Sequence, residues 1–309
     1  MGGKYIAFGL TIDSPIPLPE ALPAGPGALA DVVVNCGEPA GELQKDSNFD
    51  RVREKRLWWQ GIPDENHMLI NTKSGLFEIK NGNEINICLY PDVDMEQARV
   101  YLLGSAMGAV QVQRGRIPIH GGAVAAARGV MIITGVQGAG KSTMTSAFVR
   151  NGFSYLTDDV SSVSLENGRA IVVPAYPQRK LVRDACAPLG YVPGDLVLVD
   201  GSRDKFAVRD RDSWRPANAE LWGIIELYPA GEGEGVTVSP VVGHSKLACV
   251  TRNLYRMWMH LPGGAIKPEV FKKILTIAAQ AEIYRVRVPR DVASIAGIAR
   301  EISSKLKLS

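Results

Sequence analysis

Gly135-Val136-Gln137-Gly138-Ala139-Gly140-Lys141-Ser142 fits the pattern G-x-x-x-x-G-K-[ST] at every fixed position. Before it, Gly129-Val130-Met131-Ile132-Ile133-Thr134 is a short apolar, β-branched run that predicts a buried strand. After it, Ser142 to Arg150 predicts a helix, with Met144, Ala147 and Phe148 on one face and Gly152 placed to end it. Strand, glycine loop, helix is the context this motif needs. The glycines let backbone N–H groups turn inward around a polyphosphate, and the helix N-terminus adds its positive dipole end. Gly135, Gln137, Gly138, Ala139, Gly140, Lys141, Ser142 and Thr143 are therefore the expected nucleotide contacts. Lys141 would reach the β and γ phosphates, and the Ser142 hydroxyl would sit on Mg²⁺. The bland alternative, a glycine-rich turn with a surface lysine, does not explain why both flanks are correct.

Working outward, the rest of the chain sets the frame. Its 309 residues suffice for two domains, and 46% hydrophobic with 22% charged residues is ordinary for a globular protein. A net charge of +3 is too small to argue for a nucleic-acid or membrane partner. Cys36, Cys88, Cys186 and Cys249 form no C-x-x-C pair and are read as reduced thiols. The start lacks a basic region followed by an apolar stretch, so no signal peptide is expected. No apolar run approaches the ~20 residues of a membrane span. A cytoplasmic location is the expectation, and a homo-oligomer is left open.

Residues 1–93 read as β-rich. A strand is expected from Tyr5 to Ile12 and another from Asp31 to Cys36, with a Pro, Ala and Gly-rich loop over Pro15 to Leu29. Residues 40–56 are polar and predict a loop with a helical turn. Met68 to Asn71, Gly75 to Ile79 and Glu84 to Leu89 form a predicted meander, with Asn81-Gly82 as its hairpin turn. Met95 to Arg114 has helical spacing. Further strands are expected at Gly122–Ala127, Phe153–Thr157, Val160–Leu165 and Ala170–Pro174, then at Leu221–Leu227 and Val236–Val242, the last two joined by the turn at Gly231-Glu232-Gly233. A final helix is expected from Asp291 to Lys305, buried through Val292, Ile295, Ile298 and Ile302.

Phosphoryl transfer needs a phosphate cradle, a metal, an anchor for that metal and a group that orients or deprotonates the nucleophile. The loop supplies the first and Ser142 part of the third. Asp158 and Asp159, ending a strand just after the loop helix, are the natural source of the rest. One would hold Mg²⁺, directly or through water, and the other would accept a hydroxyl proton. His120, in Ile117-Pro118-Ile119-His120-Gly121-Gly122, precedes the first strand of the nucleotide-binding unit. It is suited to hydrogen-bond one aspartate or polarise the acceptor, although a lone histidine at a strand start is more often structural.

His120-Gly121, the phosphate loop and Thr157-Asp158-Asp159 together resemble the kinase domain of HPr kinase/phosphorylase. The resemblance implies an α/β P-loop kinase domain of the HPr kinase (PEP carboxykinase-like) type over residues 94–309, with a smaller β-rich domain over 1–93. It also implies the roles: Lys141 on phosphate, Ser142 on Mg²⁺, Asp158 as base, Asp159 on the metal side and His120 in support. Tyr5 to Leu10, Tyr101 to Ala106 with Gln113 to Arg116, Pro174-Ala175-Tyr176-Pro177 and Val286 to Asp291 are closer still to HPr-kinase-like proteins of lasso-peptide biosynthesis. Those phosphorylate the C-terminal serine of a precursor peptide. The implied activity is an ATP- and Mg²⁺-dependent serine kinase acting on a peptide or protein.

The glutamate–arginine–glycine signature of HPr kinase is absent; the region reads Gln178-Arg179-Lys180-Leu181-Val182-Arg183-Asp184. That departure argues against a phosphorylase reaction and against HPr as substrate, and leaves Asp184 either a replacement carboxylate or a plain helix-start residue. Arg179, Lys180, Lys205, Arg252 and Arg256 are candidate cations around the transferring phosphoryl, the last two sharing a face if helical. A small-alcohol kinase, a nucleotide hydrolase and a non-catalytic nucleotide switch are the other readings the same residues allow.

Overall fold

The alternation that predicts one strand from Tyr5 to Ile12 folds as two, β1 (Gly3–Ala7) and β2 (Leu10–Ser14). Phe8 and Gly9 between them take φ of 55° and 65°, the paired positive φ of a two-residue hairpin. Asn-Gly announces that turn in a sequence, whereas Phe8 does not; its ring is 1% exposed, and that burial offsets the left-handed backbone. The computed structural model describes residues 2–37, 54–56, 58–200 and 204–308. The loop expected over 40–56 therefore lies almost wholly outside the described residues.

The first unit comprises the chain up to Arg116 together with Trp258–Lys267. Its sheet adds β3 (Leu22–Pro23), β4 (Val32–Cys36), β5 (Trp59–Asp64), β6 (His67–Asn71), β7 (Gly75–Lys80) and β8 (Glu84–Leu89) in the order β3-β1-β2-β4-β8-β7-β6-β5. The meander stands where its turn signals put it, with Asn81 and Gly82 at φ 53° and 65°. The helical stretch begins at Met95, where Asp94 accepts the Glu96 N–H at 2.9 Å. It runs Met95–Tyr101, then a π-helical Leu102–Ala106, then Met107–Gln113. Because this helix contacts β7, contacts assign it to the first unit, whereas the sequence reading opened the second domain at residue 94.

The second unit runs over Ile117–Met257 and from Pro268 onward. Its strands are β9 (Ile117–Ala126), β10 (Gly129–Gly135), β11 (Tyr155–Thr157), β12 (Val160–Glu166), β13 (Arg169–Val173), β14 (Gln178–Val182), β15 (Val197–Asp200), β16 (Lys205–Arg209), β17 (Ala219–Pro229), β18 (Thr237–Val241) and β19 (Glu282–Val288). β10 lies between β9, antiparallel, and β17, parallel. Val130, Met131, Ile132 and Ile133 are fully buried, as a strand covered on both faces requires. β9 is long enough to serve three partners: residues 121–126 pair with β10, Ala123 and Val124 also with β11, and residues 117–120 with β12. Pairing then passes from β12 to β13, to β17 and back to β10, closing a circuit. β19 adds parallel to β17, and β18 adds antiparallel to β19, so the strands flanking Gly231-Glu232-Gly233 are not a hairpin. β14, β16 and β15 form a separate small sheet. The last helix begins at Ile295 rather than Asp291; Ile295, Ile298, Ala299, Ile302 and Leu306 are buried, and Val292 lies outside it.

Candidate active site

The phosphate-loop signature folds as the strand, loop and helix that its flanks predict. β10 ends at Gly135, and the helix Lys141–Arg150 starts after Gly140, whose φ of 84° is one a side chain would resist. The first helical hydrogen bond runs from the Met144 N–H to the Gly140 carbonyl at 2.8 Å. The amides of Lys141, Ser142 and Thr143 precede it and carry the positive end of the helix dipole. The helix is seated by Met144, Thr145, Ser146, Ala147 and Phe148, all buried. β9 admits it closely at Gly122: a Cβ there would stand 2.2 Å from Thr145 Oγ1. Lys141 Nζ donates to the carbonyls of Gly135, 2.9 Å, and Val136, 3.2 Å, so the side chain folds back over its own loop.

β9 also holds His120, which lies inside the strand rather than before it. Opposite it, Asp158 and Asp159 occupy the bend between β11 and β12, both of which pair with β9. The bend is fixed locally: Thr157 Oγ1 donates to the Val160 carbonyl at 2.9 Å, and the Gly121 N–H donates to the Asp159 carbonyl at 3.0 Å. His120 Nδ1 stands 3.2 Å from that carbonyl and 3.4 Å from Asp159 Oδ1. From β14, Lys180 reaches both acids. Its N–H donates to Asp158 Oδ2 at 2.9 Å and its Nζ donates to Asp159 Oδ2 at 3.2 Å.

The two carboxyls differ sharply. Asp158 is 5% exposed, and its Oδ1 is buried with no hydrogen-bond partner among the described residues. Burial, then the charge of Asp159, push its pKa above the ordinary carboxylate value. Burial acts on Asp159 too, but Lys180, His120 and Lys205 overcome it and hold that carboxyl well below the usual range. Lys180 is held above the usual lysine range, because the pull of Asp159 overcomes burial. Burial lowers Lys141, Asp159 raises it in part, and Lys205 lowers it further. Burial also lowers His120 against the opposing charge of Asp159. Lys141, Lys205, His120 and the aspartate pair therefore lie within one electrostatic neighbourhood.

Behind this cluster runs a buried network with no counterpart in the sequence reading. Thr134 Oγ1, one residue before the loop, is 2.7 Å from the His120 carbonyl and 3.0 Å from Asn253 Oδ1. The Asn253 amide donates to Glu226 Oε1 at 2.8 Å, and the Asn253 carbonyl accepts the His120 N–H at 2.8 Å. Glu226 stands opposite Thr134 on β17 and is 2% exposed. The signal for it was a charged residue within the otherwise apolar strand expected over Leu221–Leu227.

The candidate cations separate. Arg252 forks onto Glu226 with both contacts at 2.6 Å, and its helix, His244–Arg252, ends there. Arg256, at φ 46°, lies past that end, so the two arginines share no helical face. Arg179 is fully buried between Asp210, 2.7 Å, and the Tyr155 ring. Asp184 is exposed in the short helix Arg183–Cys186, the place of a helix-start residue. Lys180 and Lys205, of the five, are among the largest influences on the aspartate pair.

Mg²⁺ that arrives with a nucleotide needs one or two carboxylates beside the phosphates rather than a protein cage. Among the described residues no group of three or more His, Cys, Asp and Glu would hold a metal alone. The Asp159 Oδ1 left by Lys180 and the half-buried Ser142 fit the lesser demand.

No family model matches the chain, and no curated protein does. Among solved structures it is similar to the HPr(Ser) kinase/phosphatase from Coxiella burnetii, at 13% identity over 62% of this chain and 98% of that one, with a TM-score of 0.33. No helix among the described residues is long and apolar enough to cross a membrane.

Proposed function

We propose that the chain is an ATP-dependent serine kinase that transfers the γ-phosphate to a serine hydroxyl of a peptide or protein. The observation that carries this reading is the Asp158 Oδ1: a buried carboxylate oxygen with no partner among the described residues, in the electrostatic range of the phosphate-loop lysine. An acceptor hydroxyl is the partner that such an oxygen lacks. The loop amides and first-turn amides bind the phosphates, and Lys141 leaves the Gly135 and Val136 carbonyls to meet the β and γ oxygens. The serine oxygen attacks the γ-phosphorus in line, the bond to the β–γ bridging oxygen breaks, ADP leaves, and Asp158 takes the hydroxyl proton. Ser142 and Asp159 would hold Mg²⁺, which when bound neutralises charge developing on the phosphates. His120 orients Asp159 from one side and Lys180 from the other.

The raised pKa of Asp158 suits a base, since it moves proton affinity towards that of the reacting hydroxyl. The acceptor we propose is the C-terminal serine of a lasso precursor peptide, on the sequence resemblance described above. The experiment is transfer of labelled γ-phosphate to a serine-ended peptide. Labelled peptide supports the reading; free phosphate alone would make the chain a hydrolase; binding without turnover would make it a switch.

A further inference from the structure

We propose that Lys180 is a built-in cation of this site, its ammonium standing at Asp159 Oδ2 in the place of a second divalent ion, so that one Mg²⁺ per nucleotide is enough. This rests on the kinase reading above and deepens it.

Two adjacent carboxylates at one strand bend, Asp158 buried and Asp159 a third exposed, repel each other, and a cation beside them offsets that repulsion. Lys180 supplies it from within the fold. The residue is 8% exposed, its Nζ is 3.2 Å from Asp159 Oδ2, and its own N–H is 2.9 Å from Asp158 Oδ2. One residue therefore grips both acids, one through charge and one through backbone. The backbone half of the grip is fixed because Lys180 sits at the centre of β14, paired with Ala207 of β16. Enzymes that use two metals for phosphoryl chemistry place the ions ~3.5–4 Å apart around shared oxygens. A lysine ammonium is the compact point charge closest to an ion in size, with three donors to orient. It fills the Oδ2 side of Asp159 and leaves the Oδ1 side, where His120 Nδ1 stands at 3.4 Å, for the metal. Lys180 is thus a positioning residue: it acts on Asp158 and Asp159 rather than on substrate.

The test counts Mn²⁺, standing in for Mg²⁺, bound to the chain with a non-hydrolysable ATP analogue, read by electron paramagnetic resonance of the free ion. The wild type should bind one ion per analogue, Lys180→Arg also one, and Lys180→Met about two, because Asp159 Oδ2 is then vacated. Two ions in the wild type overturn the proposal whether or not any variant folds. A count of one in a folded, analogue-binding Lys180→Met variant overturns it as well, as does a second ion in Lys180→Arg. Failure of the wild type to bind the analogue at all overturns the kinase reading, and this inference with it.

Discussion

Asp158→Asn changes charge at constant shape, and it is predicted to move stability and turnover in opposite directions. The asparagine carbonyl can still accept the Lys180 N–H that Asp158 Oδ2 accepts at 2.9 Å. What disappears is the ionised oxygen that has no partner among the described residues. Because burial raises the folded pKa of Asp158 above 3.8, its protonated form is the one that favours folding. That contribution is fully present below the unfolded value and is lost as pH rises through the folded one. At neutral pH the ionised carboxylate is therefore a liability to the nucleotide-free fold. An unsatisfied buried group costs about 1–3 kcal/mol. Allowing for the unpartnered amide N–H of the variant, the expected gain is about 1 kcal/mol, or roughly 2–4 °C in melting temperature. The gain should shrink as pH falls through the raised folded value of Asp158, where the carboxyl takes up its proton. Loss of the base should slow transfer by about 10²–10⁴-fold, with nucleotide affinity largely kept. Thermal melts across pH and single-turnover rates measure both. A lowered melting temperature at neutral pH, or turnover within about tenfold of wild type, would refute the reasoning.

Lys141→Ala should take transfer below detection, a loss of several kcal/mol of transition-state stabilisation, visible in labelled-phosphate assays; near-normal turnover contradicts the assignment. His120→Ala should slow transfer by about 10–100-fold without ending it, and unchanged kinetics would leave His120 a strand residue that merely hydrogen-bonds the bend. Gly122→Ala should cost about 1–3 kcal/mol by calorimetry, because its new methyl meets Thr145 at 2.2 Å. Adding Thr145→Ala should recover a good part of that loss, and strictly additive costs would mean that the helix does not sit against β9 as described.

What the sequence made legible was local. A continuous apolar strand, three loop glycines and an amphipathic helix act within about twenty residues of one another, and turn pairs such as Asn81-Gly82 carry their own backbone requirement. Phe8-Gly9 was not legible, because a phenylalanine takes φ 55° only through burial that the fold supplies. Nor was the reach of β9, whose start at Ile117 depends on pairing with β12 some forty residues later. The candidate site divides the same way. Its residue types were readable, but Lys180 could be told from Arg179, its neighbour, only by strand alternation: one faces the aspartates and the other Asp210. Glu226 and Asn253 carried no motif, since their role is to hold the end of β10 and the backbone of His120 together across the sheet.

The central claim is that Lys141 and Asp158 meet at the terminal phosphate of a bound triphosphate, and a crystal structure with a non-hydrolysable ATP analogue and Mg²⁺ tests it most directly. In that complex Lys141 Nζ should have left the Gly135 and Val136 carbonyls for the β and γ oxygens, and Asp158 Oδ1 should face the γ-phosphate across the space of one hydroxyl. Lys141 still on those carbonyls, or Asp158 Oδ1 turned away into the protein, would contradict it.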